Sequence, residues 1–207
     1  MQSKIDSQGV QTKGRGSEGD SREEGRANKM DPERARQEST DPVGMTARLT
    51  RALQNRDVQE QQEACGLLKE FTLVEGNRDA VVAAGAVPAL VQVLQGADPG
   101  SGAAGQAAEA LWSIAGGSAA RRDSRADAML AAGAVPVLLC AVGEGTVAGS
   151  GARNNAAKAL YVLALSSKAR SAMRDTHGAV AKLQAAKAKF SGDAGLVKEI
   201  TDVLNYL

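Results

Sequence analysis

Residues whose types could support catalysis or metal binding are few in this sequence of 207 residues, and they lie far apart. The chain has one histidine, His177, and two cysteines, Cys65 and Cys140. These residues do not have the spacing of a metal-ligand set, and no nucleophile stands out beside a suitable base. We therefore predict no metal site and no catalytic residue. His177 is expected to cap a helix at its carbonyl end, where a cation interacts favourably with the helix dipole.

A glycine-rich stretch, GEGTVAG, is the one place that suggests a phosphate-binding loop between a strand and a helix. Gly143, Gly145 and Gly149 follow the apolar run VPVLLCAV, and a helix would begin near Ala152. However, the glycines are spaced GxGxxxG, and the supposed strand begins near a proline. About twenty residues later, where an acidic residue would contact a ribose, the sequence reads SSKAR. A flexible connection between two helices explains the stretch better, so we predict no cofactor and no enzyme activity.

Composition limits the classes of partner. Apolar residues make up 43% of the chain, aromatic residues 2%, and the formal net charge is +1, which argues against nucleic acid as a partner. No apolar run approaches the roughly 18 residues of a membrane span, and the N-terminus lacks a signal-peptide pattern, so we predict no membrane insertion. Both cysteines lie in apolar helical patterns, which favours reduced core thiols and a cytoplasmic, or else nuclear, location.

Composition changes sharply near residue 44. Residues 1–44 contain no Leu, Phe, Trp or Tyr, and they carry eight Lys or Arg against nine Asp or Glu. Such a polar segment cannot bury enough apolar surface to offset the entropy lost on ordering. A basic regulatory or targeting arm would need a block of Lys or Arg, whereas here the two signs of charge alternate. We therefore predict a disordered, solvated N-terminal tail over residues 1–44.

From Gly44 onward the sequence repeats. Each repeat has a glycine followed five residues later by a leucine, and successive glycines are 41, 48 and 45 residues apart. The pairs are Gly44 and Leu49, Gly85 and Leu90, Gly133 and Leu138, and Gly178 and Leu183. A period of this length indicates stacked structural units. We predict one repeat domain over residues 45–207, with units at about 45–76, 77–122, 123–166 and 167–207.

The hexamer AAGAVP occurs twice, ending at Pro88 and Pro136, and it indicates a corner between two helices. A short first helix would run from an N-cap at Asn77 or Ser124 to the glycine of the hexamer. Glycine stops a helix there because it adopts the left-handed conformation without steric cost. Proline would then take the first position of the second helix, where its missing N–H has no intrahelical partner in any case.

A longer third helix closes each unit, with the sequences ACGLLKEFT, AAEALWSIA, AAKALYVLA and LVKEITDVL. Their apolar residues align in two columns three residues apart, the spacing of a buried helical stripe. The columns are Leu68, Leu111, Leu160 and Ile200, and Phe71, Ile114, Leu163 and Val203. Stacked units would bury these stripes in a continuous core. Trp112 and Tyr161 hold matching positions and are expected to pack between units, with an aromatic platform for a partner as the alternative.

The short helix ending in AGAVP, the second helix ALVQVL and the third helix AAEALWSIA together resemble the armadillo-repeat family over residues 44–207. The resemblance implies an all-α fold, a right-handed α-solenoid of about four repeats. The first unit would lack its short helix, and Ala181 replaces the proline of the fourth, so the end units look like caps. In this family the third helices line a concave groove that holds an extended peptide. A recurrent Trp and Asn, one helical turn apart, often grip that peptide.

Applying the family pattern to the third helices identifies candidate contact residues. The Trp position falls at Gly66, Glu109, Lys158 and Lys198, and the Asn position at Glu70, Ser113, Val162 and Asp202. None of them keeps the family residue, and the substitutes carry both signs of charge. The candidate partner-binding residues are Glu70, Glu109, Ser113, Asn154 and Lys158. A solvated helical face is the alternative interpretation of these charges.

The sequence therefore predicts a non-catalytic scaffold or adaptor that binds a protein or peptide segment in the groove. The alternative is an architectural module that packs within a larger complex through its helical ends, for example as a ubiquitin-ligase substrate arm. Self-association through the repeat ends is also considered, because the C-terminal residues VLNYL would leave apolar side chains near the end of the last helix.

Overall fold

The computed structural model describes residues 41–96, 102–143 and 149–207, and every regular element within these ranges is helical. The predicted tail lies outside the described residues except at its end, where Pro42 already begins the first helix. The α-helices are α1 (Pro42–Gln54), α2 (Val58–Leu73), α3 (Arg78–Ala83), α4 (Ala86–Gly96), α5 (Gly102–Ala115), α6 (Ala119–Ala131), α7 (Ala134–Val142), α8 (Ser150–Ala164), α9 (Ser167–Asp175), α10 (Ala179–Lys189) and α11 (Ala194–Tyr206). A short 3-10 turn, Glu75–Asn77, precedes α3.

The helices group into units of a first, a second and a long third helix, and the first helix varies from 6 residues in α3 to 13 residues in α6. The first unit has only α1 and α2, as expected from the missing short helix. The later units are α3 to α5, α6 to α8 and α9 to α11. The long helices α2, α5, α8 and α11 pack side by side in chain order, and the second helices α1, α4, α7 and α10 form a parallel row.

The glycine corners are confirmed at three positions. Gly85, Gly133 and Gly178 have φ angles of 76°, 68° and 72°, in the left-handed region that favours glycine. The helix axes on the two sides of Gly85 and Gly133 meet at 86° and 83°. Each repeated hexamer therefore turns the chain through nearly a right angle between a short helix and a second helix.

Two local predictions around these corners were wrong. Ser124 is not an N-cap, because α6 begins five residues earlier at Ala119 after the extended backbone of Ser118. The predicted unit boundary between residues 122 and 123 consequently falls inside a helix. Pro88 and Pro136 are the third residues of their helices rather than the first. Proline is accepted there because the N–H groups throughout the first turn lack intrahelical acceptors.

Asn77 precedes α3 as predicted, but its side chain does not cap that helix. It donates a hydrogen bond to the carbonyl of Phe71 at the end of the preceding third helix, at 3.1 Å. Arg125 and Arg170 stand at the same distance before their own corner glycines. They donate to Gly116 O at 2.6 Å and Ala164 O at 2.8 Å. The residue at this position therefore satisfies a carbonyl at the end of the previous third helix in each of the three units, and in the second unit Arg78 also donates to Thr72 O at 2.8 Å.

The third helices contribute a large part of the core, as the two predicted columns indicated, and the second helices pack against them with buried residues such as Leu90 and Leu138. Leu68, Leu111, Leu160 and Ile200 are fully buried, as are Ile114, Leu163 and Val203, whereas Phe71 is half-buried. Alanines fill the remaining contact positions, and their small side chains allow the helices to approach closely. Units of this kind are stabilised mainly by contacts with their neighbours.

The cysteines differ from the prediction of two core thiols. Cys65 is buried in α2, and burial raises the pKa of its thiol to about 12. Cys140 is exposed on α7, and both thiols are free.

Within the described residues, no group of three or more His, Cys, Asp or Glu side chains is placed to hold a metal ion. No single described helix is long and apolar enough to cross a membrane, although the two helix pairs bent at Gly85 and Gly133 are apolar enough when each pair is taken together.

Replacing Gly133 by valine is expected to lower the free energy of unfolding by about 1–2 kcal/mol or more, because a β-branched residue is strained at a φ of 68°. No heavy atom lies within 4 Å of the new Cβ, so the cost comes from the backbone and not from a clash. Gly133→Asn is the matched control, since asparagine tolerates the left-handed region. Urea unfolding of both variants measures the difference. Equal free energies of unfolding for the two variants would contradict the conclusion that the corner requires a left-handed backbone at position 133.

Candidate protein-binding face

The third helices leave one stripe each accessible to solvent. Along α5 the partly exposed side chains include Gln106, Glu109 and Trp112, three residues apart, while nearly all the others are buried. On α8 the corresponding stripe includes Asn154 and Lys158, together with Tyr161 and Val162. We call the accessible stripes of α2, α5, α8 and α11 together the third-helix face. Four of the five predicted contact residues are accessible on it.

Ser113 is the exception, because it is only 6% exposed. It lies on the edge of the α5 stripe, one residue after Trp112, where the neighbouring helix covers most of its surface. The sequence indicated the position of Ser113 along α5 correctly, but it could not show how closely the alanine-rich helices approach each other. Its hydroxyl consequently offers little contact surface.

Glu70 and Glu109 both lie near Lys69. The Lys69 ammonium group forms an ion pair with Glu70 Oε1 at 2.8 Å. The hydrogen bond to Glu70 is the main cause of a raised Lys69 pKa, and the charge of Glu109 adds to it. At the α2 and α5 end of the face, two carboxylates therefore share one ammonium group.

Lys158 lies over the ring of Trp112, with its Nζ 4.8 Å from the ring centroid. This is a cation–π contact between neighbouring third helices, α5 and α8. Trp112 and Tyr161 also pack against the buried core, as the sequence predicted for residues between units. Tyr161 makes an edge-on contact with Tyr206 at 6.0 Å between ring centroids. Aromatic side chains therefore tie α5, α8 and α11 together along the face.

Asn154 joins α8 to the start of α11. Its Nδ2 donates to Asp193 Oδ2 at 3.3 Å. Because a carboxylate can only accept, this contact fixes the amide orientation and turns Oδ1 away from Asp193. Asp193 also accepts from the N–H of Leu196 at 3.0 Å, which is the main cause of its lowered pKa. The Asn154 Oδ1 is buried and has no hydrogen-bond partner among the described residues.

Gln106 is a face residue that the sequence prediction missed. Its carboxamide lies over Gly66 of α2, where a Cβ would come within 3.3 Å of Nε2. Like Asn154 Oδ1, its Oε1 is buried and without a hydrogen-bond partner in the described ranges. The signal was available, since Gln106 precedes Glu109 by three residues on the same stripe. The family pattern drew attention to a different turn of the helix.

The C-terminal residues are more covered than expected from their apolar sequence. Val203 is fully buried, and Leu204 and Leu207 are half-buried against the core. Arg174 of α9 donates hydrogen bonds to the carbonyls of Tyr206 and Leu207, at 3.0 and 2.9 Å. The chain therefore covers most of this end itself.

Comparisons with known proteins agree with this architecture. Residues 75–116 match the family described as armadillo/beta-catenin-like repeat. Crystal structures of three engineered proteins are similar to the chain, with TM-scores of 0.66, 0.65 and 0.66 at 31%, 31% and 27% sequence identity. The similarity covers 79%, 79% and 80% of this chain but only 62%, 37% and 62% of those proteins, so the chain spans less than two thirds of their length. No curated protein matches the sequence significantly.

The matched residues run from the turn before α3 to the glycine after α5, so they contain one full unit with its corner at Gly85. Armadillo repeats generally bind proteins and are generally non-catalytic scaffolds. Residues 75–116 therefore match the armadillo-repeat model, and the described helices on both sides of them continue the same helical solenoid.

Proposed function

We propose that the third-helix face binds an extended segment of a partner protein, so that the chain acts as a non-catalytic scaffold or adaptor. The observation that carries this proposal is the row of accessible polar side chains on the face, with Gln106 and Glu109 on α5 and Asn154 and Lys158 on α8. An extended segment presents backbone N–H groups that are not engaged within the segment. The accessible carboxylate of Glu109 can accept hydrogen bonds from such N–H groups or from a basic side chain of the segment.

The charges on the third-helix face indicate which charges a partner segment should carry. Glu109 on α5 and Lys158 on α8 lie on neighbouring helices, whose axes are about 10 Å apart at ordinary packing distance. An extended chain covers that distance in about three residues. We therefore propose a partner segment with a basic residue near Glu109 and an acidic residue about three positions away, near Lys158. Four third helices provide a surface about 30–40 Å long, enough for about ten extended residues.

Reversing both charges tests the proposal. Peptides that bind the full chain are first selected from a random library, and the double variant Glu109→Lys and Lys158→Glu is then titrated with them. We expect affinity to fall about tenfold or more, because each peptide charge would face a like charge. Thermal unfolding should fall by no more than about 4 °C, since neither side chain is buried and the main interaction lost is the contact between Lys158 and Trp112.

The matched control is Asp123→Lys with Lys187→Glu, which makes the same two charge changes away from the face. It should leave the affinity within about twofold. Equal losses in the two double variants, or unchanged affinity in the first, would contradict binding at the third-helix face.

A second candidate function is supported by the first unit. Val43 and Val58 are 65% and 50% exposed on α1 and α2, and Leu73 and Val74 are 52% and 59% exposed at the other end of α2. Such exposed apolar side chains suit an architectural module that packs against other subunits or a second copy. Sedimentation velocity over a wide concentration range would support this function if the chain self-associates and Val43→Ser with Val58→Ser abolishes the association. A monomer at all concentrations would contradict self-association.

We also propose a cytoplasmic or nuclear location. The support is that both cysteines are free, with Cys140 exposed, which suits a reducing compartment. Fractionation of cells expressing the full chain tests this, and recovery in a secreted fraction would contradict it.

A further inference from the structure

A cleft of about 440 Å³ lies between α7 and α10, in the row of second helices rather than on the third-helix face. Leu139 and Ala186, both 1% exposed, line its buried part. Cys140, Ala181 and Ala185 are exposed residues that line it as well. The cleft is within the size range of ordinary ligand pockets, and its lining is mostly apolar.

Small residues on α10 create this cleft. The eighth residue after each corner glycine is Val93 in α4, Ala141 in α7 and Ala186 in α10, so the valine of α4 is replaced by alanine in the two later second helices. The seventh residue is Gln92, Cys140 and Ala185 in the same order. The second helices of the last two units therefore leave a space between them that larger side chains would fill.

The two polar side chains that project from α10 at this cleft are both basic. Lys182 and Lys189 line it, seven residues apart, which places them about 10 Å apart along the helix axis. Among the residues that the structure describes, no acidic side chain lines the cleft and neither lysine forms an ion pair; Glu144, which follows the lining residue Gly143, lies outside the described residues. The Lys189 ammonium group lies over the Phe190 ring, 5.3 Å from its centroid.

We propose that this cleft is a second docking site, which takes an acidic segment of a partner protein. An apolar side chain of the segment enters between α7 and α10, and carboxylates on either side of it pair with Lys182 and Lys189. Charge complementarity selects this occupant, since an apolar space between two ammonium groups that have no ion-pair partner among the described residues matches an apolar residue flanked by acidic ones. The site is separate from the third-helix face and does not depend on binding there.

The experiment uses the full chain and a fluorescein-labelled peptide in which two adjacent leucines are flanked on both sides by glutamates. Its affinity is measured by fluorescence anisotropy for the wild type, for Lys182→Glu with Lys189→Glu, and for the control Lys187→Glu on the same helix. We expect the double variant to bind about tenfold or more weakly, and the control to change affinity less than about threefold. A peptide with glutamines in place of the glutamates should bind about tenfold more weakly to the wild type.

Cys140 provides an independent readout, because the only other cysteine in the chain, Cys65, is buried. Alkylating the wild type with a bulky maleimide should block peptide binding, whereas a Cys140→Ser variant should bind the peptide before and after the same treatment. Circular dichroism and thermal unfolding show whether each variant is folded. The proposal is overturned if the acidic peptide does not bind, if the glutamine peptide binds equally well, if Lys187→Glu matches the double variant, or if alkylated wild type still binds.

Discussion

Leu111→Ala is expected to lower the free energy of unfolding by about 3 kcal/mol. Leu111 is fully buried in α5, which packs between the third helices of the units on either side. Truncating a buried leucine removes apolar contacts and leaves a cavity, and a site bounded by closely packed helices can collapse only partly. Because each unit is stabilised by its neighbours, the loss weakens the whole array at its centre.

Urea unfolding followed by circular dichroism measures this effect. Leu73→Ala is the matched control, since Leu73 is 52% exposed at the end of α2 and should lose less than about 1 kcal/mol. Similar losses at the two positions would show that Leu111 does not pack in a continuous core.

Asp79→Asn is expected to cost about 2 kcal/mol, because it leaves a buried cation without its carboxylate. Arg125 is only 1% exposed, and its Nε donates to Asp79 Oδ1 at 2.6 Å. Removing one partner of a buried ion pair is strongly destabilising. The expected loss is smaller than for a fully enclosed pair, because Asp79 is partly exposed and the nearby carboxylate of Glu75 also acts on Arg125.

Asp127→Asn is the control for this prediction. Asp127 pairs with Lys168 at 2.9 Å across the next two short helices, but both side chains are largely exposed, so the change should cost less than about 0.5 kcal/mol. Equal effects of the two substitutions would contradict a special role for the buried arginine.

The same pair predicts a dependence on pH. Hydrogen bonds from Arg125 and then Arg121 lower the pKa of Asp79 from 3.8 to about 2. Since the folded-state pKa lies below the unfolded one, the stabilisation is fully present above about pH 4 and is lost as the pH falls towards 2. Unfolding measured between those values should show a steeper loss for the wild type than for Asp79→Asn. Parallel plots of unfolding free energy against pH for the two proteins would contradict the assignment of this pH dependence to Asp79.

The sequence predicted the repeat architecture because its strongest signals are local and periodic. Glycine corners follow from backbone sterics, and the Leu111 and Ile114 columns follow from helical spacing, so both were readable without tertiary contacts. The start of α6 was missed because alanine and arginine residues before Ser124 propagate a helix as well as the residues after it. Local sequence therefore located the corners better than the helix starts.

Features that depend on neighbouring units were less predictable. Nothing adjacent in sequence indicates that Arg125 is buried, because its partner Asp79 and the Gly116 carbonyl belong to the preceding unit. The exposure of Cys140 depends on small residues in α10. Glu109 and Lys158 were placed on an accessible stripe by applying the family pattern to the third helices, whereas the unpartnered oxygen of Gln106 required the packing of α5 against Gly66.

Trp112 allows the most direct test of binding at the third-helix face. It is the only tryptophan in the chain, and it lies half-buried on that face beneath Lys158. A library-selected peptide that contains no tryptophan is titrated into the full chain while Trp112 emission is recorded. The glutamate-flanked peptide serves as the control, because it is proposed to bind between α7 and α10 and should leave the emission unchanged.

We expect the Trp112 emission to shift and saturate with the same Kd that a direct binding assay gives for the selected peptide. The double variant Glu109→Lys and Lys158→Glu should lose the emission change and the binding together. Saturable binding of the selected peptide with no change in Trp112 emission would contradict the third-helix face as the site.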